Sequence, residues 1–346
     1  MTIDRRQFVG STALLLGAPA LAQRRQRKSA APSHAGFTHG VASGEPGPDR
    51  MLFWTRCVGQ NGVPVPLKLE VSLDPRMARS RIVAEATADP ARDWTARTSV
   101  SGFSPGATYY YRWLGPDKTQ SIIGRTKTLP PGSASQYRLG VFSCANMPFG
   151  WFNAYAHAVA ADDIDLFVHL GDYIYEYGRG TYPDARHVVP GREIEPPGEL
   201  ITRADYWARY RSYRADPDLQ ALHAMHPSVT MWDDHEIAND AWIGGAGNHD
   251  PAREGSWISR VQAATAAYRD WLPVSDASWA RYDIGRLATL YRLDTRLAGR
   301  DRQLDLGDAL KGGGDPVTAM RTFRDEQWVE GSRQMLGRQQ EKWLFD

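Results

Sequence analysis

The sequence predicts a chain of two parts, a small all-β (fibronectin-like) sandwich followed by an α/β sandwich. Three observations predict it. Between Phe37 and about Pro131 there is no helical period; short apolar runs sit between Gly, Pro and Asp turns, as in an antiparallel sandwich. Leu129-Pro130-Pro131-Gly132-Ser133 then breaks the pattern, because two prolines and a glycine cannot continue a strand. Beyond it, strand-like and helical stretches alternate, the signature of β-α-β units.

Taken in order, Met1–Ala22 reads as an export signal: Arg5-Arg6 followed by Phe8, a mildly apolar Gly10–Ala22 stretch, and a small-residue Ala20-Leu21-Ala22 cleavage site. The adjacent arginines resemble a twin-arginine signal, which implies passage through the twin-arginine translocase to the periplasm or medium. Residues 23–35, rich in Arg, Ser, Ala and Pro, read as a disordered spacer. Residues 36–131 form the sandwich, with strands expected at Met51–Arg56, Leu67–Ser72, Arg81–Ala86 and Thr108–Leu114. Residues 132–346 form the second domain. It is expected to run through a strand at Tyr137–Ser143, a helix at Phe152–Ala161 and a buried strand at Ile164–Leu170. Ala204–His226 is helical in two pieces around Pro217, Val229–Trp232 is a strand and Ser256–Trp271 a helix. Tyr282–Gly285 and Ala288–Leu293 pair as a hairpin, and Leu336–Phe345 is a closing helix.

Composition excludes several classes. Lys plus Arg number 41 against 40 for Asp plus Glu among 346 residues, so there is no overall field for a polyanion and no nucleic-acid-binding module is expected. The 2 cysteines, Cys57 and Cys144, rule out a disulfide scaffold and leave one bridge, two inert thiols or a ligand. No apolar run after the signal reaches the ~18 residues of a membrane span, so no stable anchor is expected. A monomer is the default expectation.

Chemistry concentrates where strands end, because the carboxyl edge of an α/β sheet gathers loops around one crevice. Three points stand out: Ser143-Cys144-Ala145-Asn146; Gly171-Asp172 with Tyr175 three residues on; and Asp233-Asp234-His235-Glu236, with Asn239 and Asp240 just beyond. Carboxylates, imidazole and thiolate are all metal ligands, and crowding them at one edge without a cation costs like-charge repulsion. Each piece also has a plain reading. Cys144 alone is a buried thiol or half of a bridge with Cys57; Asp172 after a glycine can cap a helix; Asp233–Glu236 can be a solvated turn. His169, inside an apolar run, reads as a satisfied core histidine.

In this order the motifs resemble the calcineurin-like metallophosphoesterase superfamily, and within it the PhoD family of alkaline phosphatases and phosphodiesterases. The segments that carry the resemblance are Phe37–Pro46, Phe142–Asn146, His169–Tyr177, Trp232–Glu236 and Leu293–Arg296. The resemblance implies an exported phosphoric ester hydrolase with an α/β metallophosphoesterase sandwich and a two- or three-ion cluster of ferric iron and calcium. In that cluster Cys144 and Tyr175 would bind iron, Asp172 would bridge the ions, and Asp234 would take an asparagine-ligand position, with Asp233 and Asn239 as further candidate ligands. His235 would contact phosphate or protonate the leaving group, and Arg296 would hold a phosphate oxygen; for Arg296 a structural salt bridge to Asp294 or another acid is the alternative. The implied attack is by metal-bound hydroxide on a phosphate ester, and no Gly-x-Ser-x-Gly elbow offers a serine nucleophile instead.

The resemblance also implies a downstream Gly-Asp-Val-His-like motif that the sequence lacks, so the expectation is either a truncated product or fragment, or an incomplete metal site. Two rivals remain: a catalytically impaired or non-catalytic remnant of the same family, and an exported hydrolase whose Asp-Asp-His-Glu run binds zinc alone.

Overall fold

The computed structural model describes residues 36–311 and 315–346; the expected signal and spacer at 1–22 and 23–35 lie outside the described residues. The described residues open with seven strands: β1 Phe37–Gly44, β2 Arg50–Cys57, β3 Val65–Ser72, β4 Arg81–Ala88, β5 Thr95–Ser101, β6 Thr108–Leu114 and β7 Gly124–Lys127. They form two antiparallel layers, β5-β2-β1 against β4-β3-β6-β7. The period of two explains β6, whose Tyr109, Tyr111 and Trp113 turn inward onto Phe53, Leu69 and Val71. In β2 everything after Arg50 is buried, because one face packs in the sandwich and the other receives helices.

The second region contributes β8 Leu139–Phe142, α1 Asn153–Ala161, β9 Leu166–His169, α2 Arg203–Arg214, α3 Pro217–Met225 and β10 Ser228–Thr230. The expected break at Pro217 is where Asp216 caps α3, accepting from the Asp218 and Leu219 amides. Next come α4 Pro251–Glu254, α5 Trp257–Trp271, the hairpin β11 Ala280–Ile284 with β12 Ala288–Arg292, α6 Leu306–Lys311, α7 Pro316–Thr322 and α8 Arg338–Phe345.

Strands β8, β9 and β10 are parallel, and β10 continues into β1 through the Gly44–Ser228 pair. One six-stranded sheet, β5-β2-β1-β10-β9-β8, therefore runs through both regions. Helices α1, α2, α3 and α5 cover one face, burying Trp54, Phe167, Tyr210, Leu222 and Trp271 together. The hairpin covers the other with Tyr282 and Ile284 against Leu166, Val168 and Val229. Among the described residues no helix is long and apolar enough to cross a membrane.

Candidate metal centre

Because β8, β9 and β10 are parallel, their carboxyl ends open on the same edge and the three polar segments leave together. The loops are stitched to one another by main chain: Cys144 N–H donates to Gly171 O (3.2 Å), Ala145 N–H to Asp172 O (2.8 Å) and Met231 N–H to His169 O (3.1 Å). Cys144 (φ 57°) and Asp172 (φ 54°) both sit in the left-handed region, a conformation that turns a strand end sharply. Gly171 has φ 107°, and a Cβ there would lie 2.4 Å from the Asp233 amide nitrogen, so only glycine lets the β9 and β10 loops approach this closely. The buried Glu236 carboxylate completes the brace, accepting the Asp233 amide (2.8 Å) and the Tyr173 amide (2.5 Å).

This scaffold brings ligand atoms of Asp172, Asp234 and His235 within 4.8 Å of one another. Asp172 Oδ2 accepts from the Cys144 thiol (3.3 Å) and the Tyr175 hydroxyl (3.2 Å), while its Oδ1 is buried and has no hydrogen-bond partner. An orphaned carboxylate oxygen in a buried acidic cluster is what a cation would satisfy. Electrostatics agree. Burial, with the nearby charge of Asp233, pushes the Asp172 carboxyl up despite the opposing His235; burial likewise raises Asp234 against the pull of His235 and Arg296. Burial opposes charge on His235 too, but the Glu176 hydrogen bond and the charges of Glu176, Asp234 and Asp172 outweigh it and raise its pKa to about 9. Burial first, then Asp172, raises the Tyr175 phenol, and burial raises the Cys144 thiol. Crowded carboxylates, an imidazole, a phenol and a thiol whose charged forms burial disfavours are a donor set that fits a cation.

The remaining expected residues are placed as follows. Asp233 is outside the converging trio; its carboxylate takes Arg296 Nε at 2.5 Å, and Arg296 Nη2 lies 3.1 Å from Asp234. Arg296 Nη1 is buried and unpartnered. Asn239 turns its amide to Asp240 (3.2 Å) and its main-chain N–H to Glu176 (2.6 Å), while the Asp240 amide holds Asp234 (2.6 Å). His169 is fully buried with Nε2 on Tyr155 (3.1 Å), and burial lowers its pKa to about 3, the behaviour of a neutral core histidine. Cys57 and Cys144 are both free, Cys57 inside the sandwich core and Cys144 exposed at the site.

Sequence reasoning gave no role to Glu176. It is fully buried and holds His235 Nδ1 (2.8 Å) and the Asn248 amide (2.9 Å). Asn248 also reaches Glu199 (3.0 Å), which takes Arg260 Nη2 (2.8 Å), so α5 is wired to His235. Glu176 was findable as the acid directly after Tyr175; Asn248 lies in a polar loop whose sequence carries no period.

The sequence profile described as PhoD-like phosphatase matches residues 139–346, and that of the PhoD-like phosphatase N-terminal domain matches residues 21–130. Alkaline phosphatase D of Bacillus subtilis (strain 168) is 33% identical over 375 aligned positions, covering 100% of this chain and 60% of that protein. A solved structure of PhoD superposes with a TM-score of 0.76 at 32% identity, covering 90% of this chain and 60% of that one. The chain thus spans about 60% of the length of each of these relatives.

Proposed function

The chain belongs to the PhoD-like phosphatase family, and on that premise we propose that it is an exported, metal-dependent phosphoric ester hydrolase acting on phosphomonoesters or phosphodiesters. The observation that carries the reading is the convergence of ligand atoms of Asp172, Asp234 and His235, together with a buried Asp172 Oδ1 that has no hydrogen-bond partner. The phenol of Tyr175 and thiol of Cys144, once deprotonated, would suit ferric iron, and the oxygens of Asp172, Asp234, Asp233 and Asn239 would suit calcium. Metal bound there would supply Lewis-acid activation of water and neutralise charge on phosphorus oxygens.

The protein's own groups do the rest. Glu176 fixes His235 through Nδ1, which leaves Nε2 as the nitrogen available to a phosphate oxygen or to the departing alkoxide. Arg296, anchored on Asp233 and Asp234, keeps Nη1 uncommitted and can hold a phosphate oxygen. The buried Glu236 and Glu176 tie the two acidic loops together by hydrogen bonds, which pre-arranges the groups around the site. The Arg5-Arg6 leader supports export.

The test is elemental analysis of purified protein with hydrolysis of p-nitrophenyl phosphate and its bis-ester before and after chelation. Iron and calcium content together with chelator-sensitive hydrolysis is expected; zinc alone would favour the zinc-only rival, and a chain with no affinity for any of the three metals overturns the proposal. Cell fractionation of an Arg5→Lys, Arg6→Lys double variant tests export, which it should abolish.

A further inference from the structure

Five aromatic rings run outward from the candidate metal centre as a continuous wall. Tyr175, whose hydroxyl sits on Asp172, stacks on His235 with centroids 4.3 Å apart, and Tyr177 lies 5.4 Å from the same imidazole. Tyr182 touches both tyrosines, at 6.0 Å and 5.7 Å, and Phe149 touches Tyr182 at 5.2 Å. Tyr175 is buried and Tyr177 and His235 are partly buried, but Tyr182 and Phe149 are each 48% exposed, and they meet at 71°, edge to face, so aromatic surface is left open beside the cluster.

The wall is held by the Asn146 side-chain amide and a main-chain bond as well as by its own ring contacts. Asn146 donates to Tyr182 O (3.4 Å), and the Val189 amide donates to Pro148 O (2.9 Å), tying the loop after Cys144 to the loop after Tyr175. Scattered exposed rings are ordinary on a protein surface; a fixed series that begins on a ligand carboxylate is not.

We propose that Tyr182 and Phe149 form a stacking wall for a flat aromatic group, aryl or nucleobase, carried by the phosphate ester. Resting on the hydrolase reading above, this assigns the substrate class of that same site. A phosphorus centre beside Asp172 and His235 would place an aryl ester ring against Tyr182. The base of a nucleoside ester, one sugar further out, would reach Phe149. Every aromatic ligand offers a π-face, whereas an alkyl chain of equal size does not stack.

Calorimetric titration of the metal-loaded protein with non-hydrolysable phosphonates tests this without relying on turnover. The ligands are phenylphosphonate, hexylphosphonate and the phosphonate analogue of AMP. Tyr182→Ala is expected to weaken phenylphosphonate roughly tenfold and hexylphosphonate by less than about threefold, with Tyr182→Trp restoring the aromatic ligand. For Phe149→Ala, loss confined to the nucleotide analogue assigns a nucleobase, and loss for both aromatic ligands assigns an aryl group. Loss for neither removes Phe149 and overturns the wall. Equal losses for phenyl and hexyl ligands also overturn it, because the surface is then merely apolar. If no phosphonate binds the loaded wild type, the hydrolase reading itself has failed.

Discussion

Gly171→Ala tests how the β9 and β10 loops are brought together. At φ 107° a residue with a Cβ is strained by at least ~1–2 kcal/mol. The added carbon would also stand 2.4 Å from Asp233 N and 2.5 Å from Asp233 Cβ. Ordinary contact is ~3.5 Å, so about 1 Å of separation has to be found. Asp233 cannot yield freely, since its amide is held by Glu236 at 2.8 Å and its carboxylate by Arg296 at 2.5 Å. Overpacking of that kind costs ~1–3 kcal/mol, for a total of roughly 2–5 kcal/mol and, at this chain length, a Tm lowered by about 3–8 °C. The same displacement separates Asp172 from Asp234, so metal affinity should drop roughly 10–100-fold. Calorimetric melting of chelator-treated protein followed by metal titration reads both effects. The Tm loss must persist without metal, because the clash lies in the polypeptide. A variant melting within about 1 °C of wild type and binding metal as tightly would refute the reasoning.

Asp172→Asn keeps the side-chain shape and removes one of the crowded charges, so the metal-free Tm should hold or rise while added iron or calcium no longer stabilises; a clear fall in the metal-free Tm would show that the carboxylate is already satisfied. Acid should unfold the protein through its buried histidines. Burial lowers His169 to about 3, His226 to about 4 and His223 well below the usual value, so the unfolded chain binds more protons below pH ~6.5 and stability falls as pH drops from there toward about 4. Three such groups give at most ~4 kcal/mol per pH unit, and urea midpoints that do not change between pH 7 and pH 5 would contradict this. Native alkylation with iodoacetamide should label Cys144 and spare Cys57, whose thiol burial pushes up to about 11, with metal slowing the reaction at Cys144. A Cys57–Cys144 cross-link in non-reducing mass spectrometry would overturn the ligand assignment.

Much of the α/β region was legible because its elements are punctuated by chemistry. Pro217 after Asp216 splits α2 from α3, and each strand end carries a polar cluster directly after an apolar run. Strands β1, β5 and β7 left weaker traces. In β1 the period of two is broken by the irregularity between Thr38 and Val41, where His39 has φ 61°. The site was legible as a set of residue types but not as a geometry. His235, expected to touch substrate, also stands in the converging group with Asp172 and Asp234, and Asp233, expected among the ligands, also holds Arg296 through one carboxylate oxygen. Neighbours in sequence point to different partners once a strand ends, and nothing in a run of four polar residues says which one turns inward.

The boundary near Pro131 marks a change of pattern along the chain but not a division of the sheet. Strand β10 has only Ser228–Thr230, too short to fix its own position, and it is held between β9 and β1. Ser228 O accepts the Glu45 amide (2.9 Å), and Glu45 also engages the Ser275 amide (2.9 Å) and the Arg292 guanidinium, so the turn leaving β1 grips β10, the end of α5 and the hairpin together. Trp54 of β2 donates to Asp270 O (2.7 Å), fixing the same helix from the sandwich side. At Gly44 a Cβ would meet Pro273 O at 2.3 Å, which is why the joint passes through a glycine and carries no hydrophobic signal that a sequence could display. The loop Trp232–Glu236 starts two residues after β10 ends, so Asp234 of the candidate metal centre takes its position from a short strand that β1 of the N-terminal sandwich helps to hold.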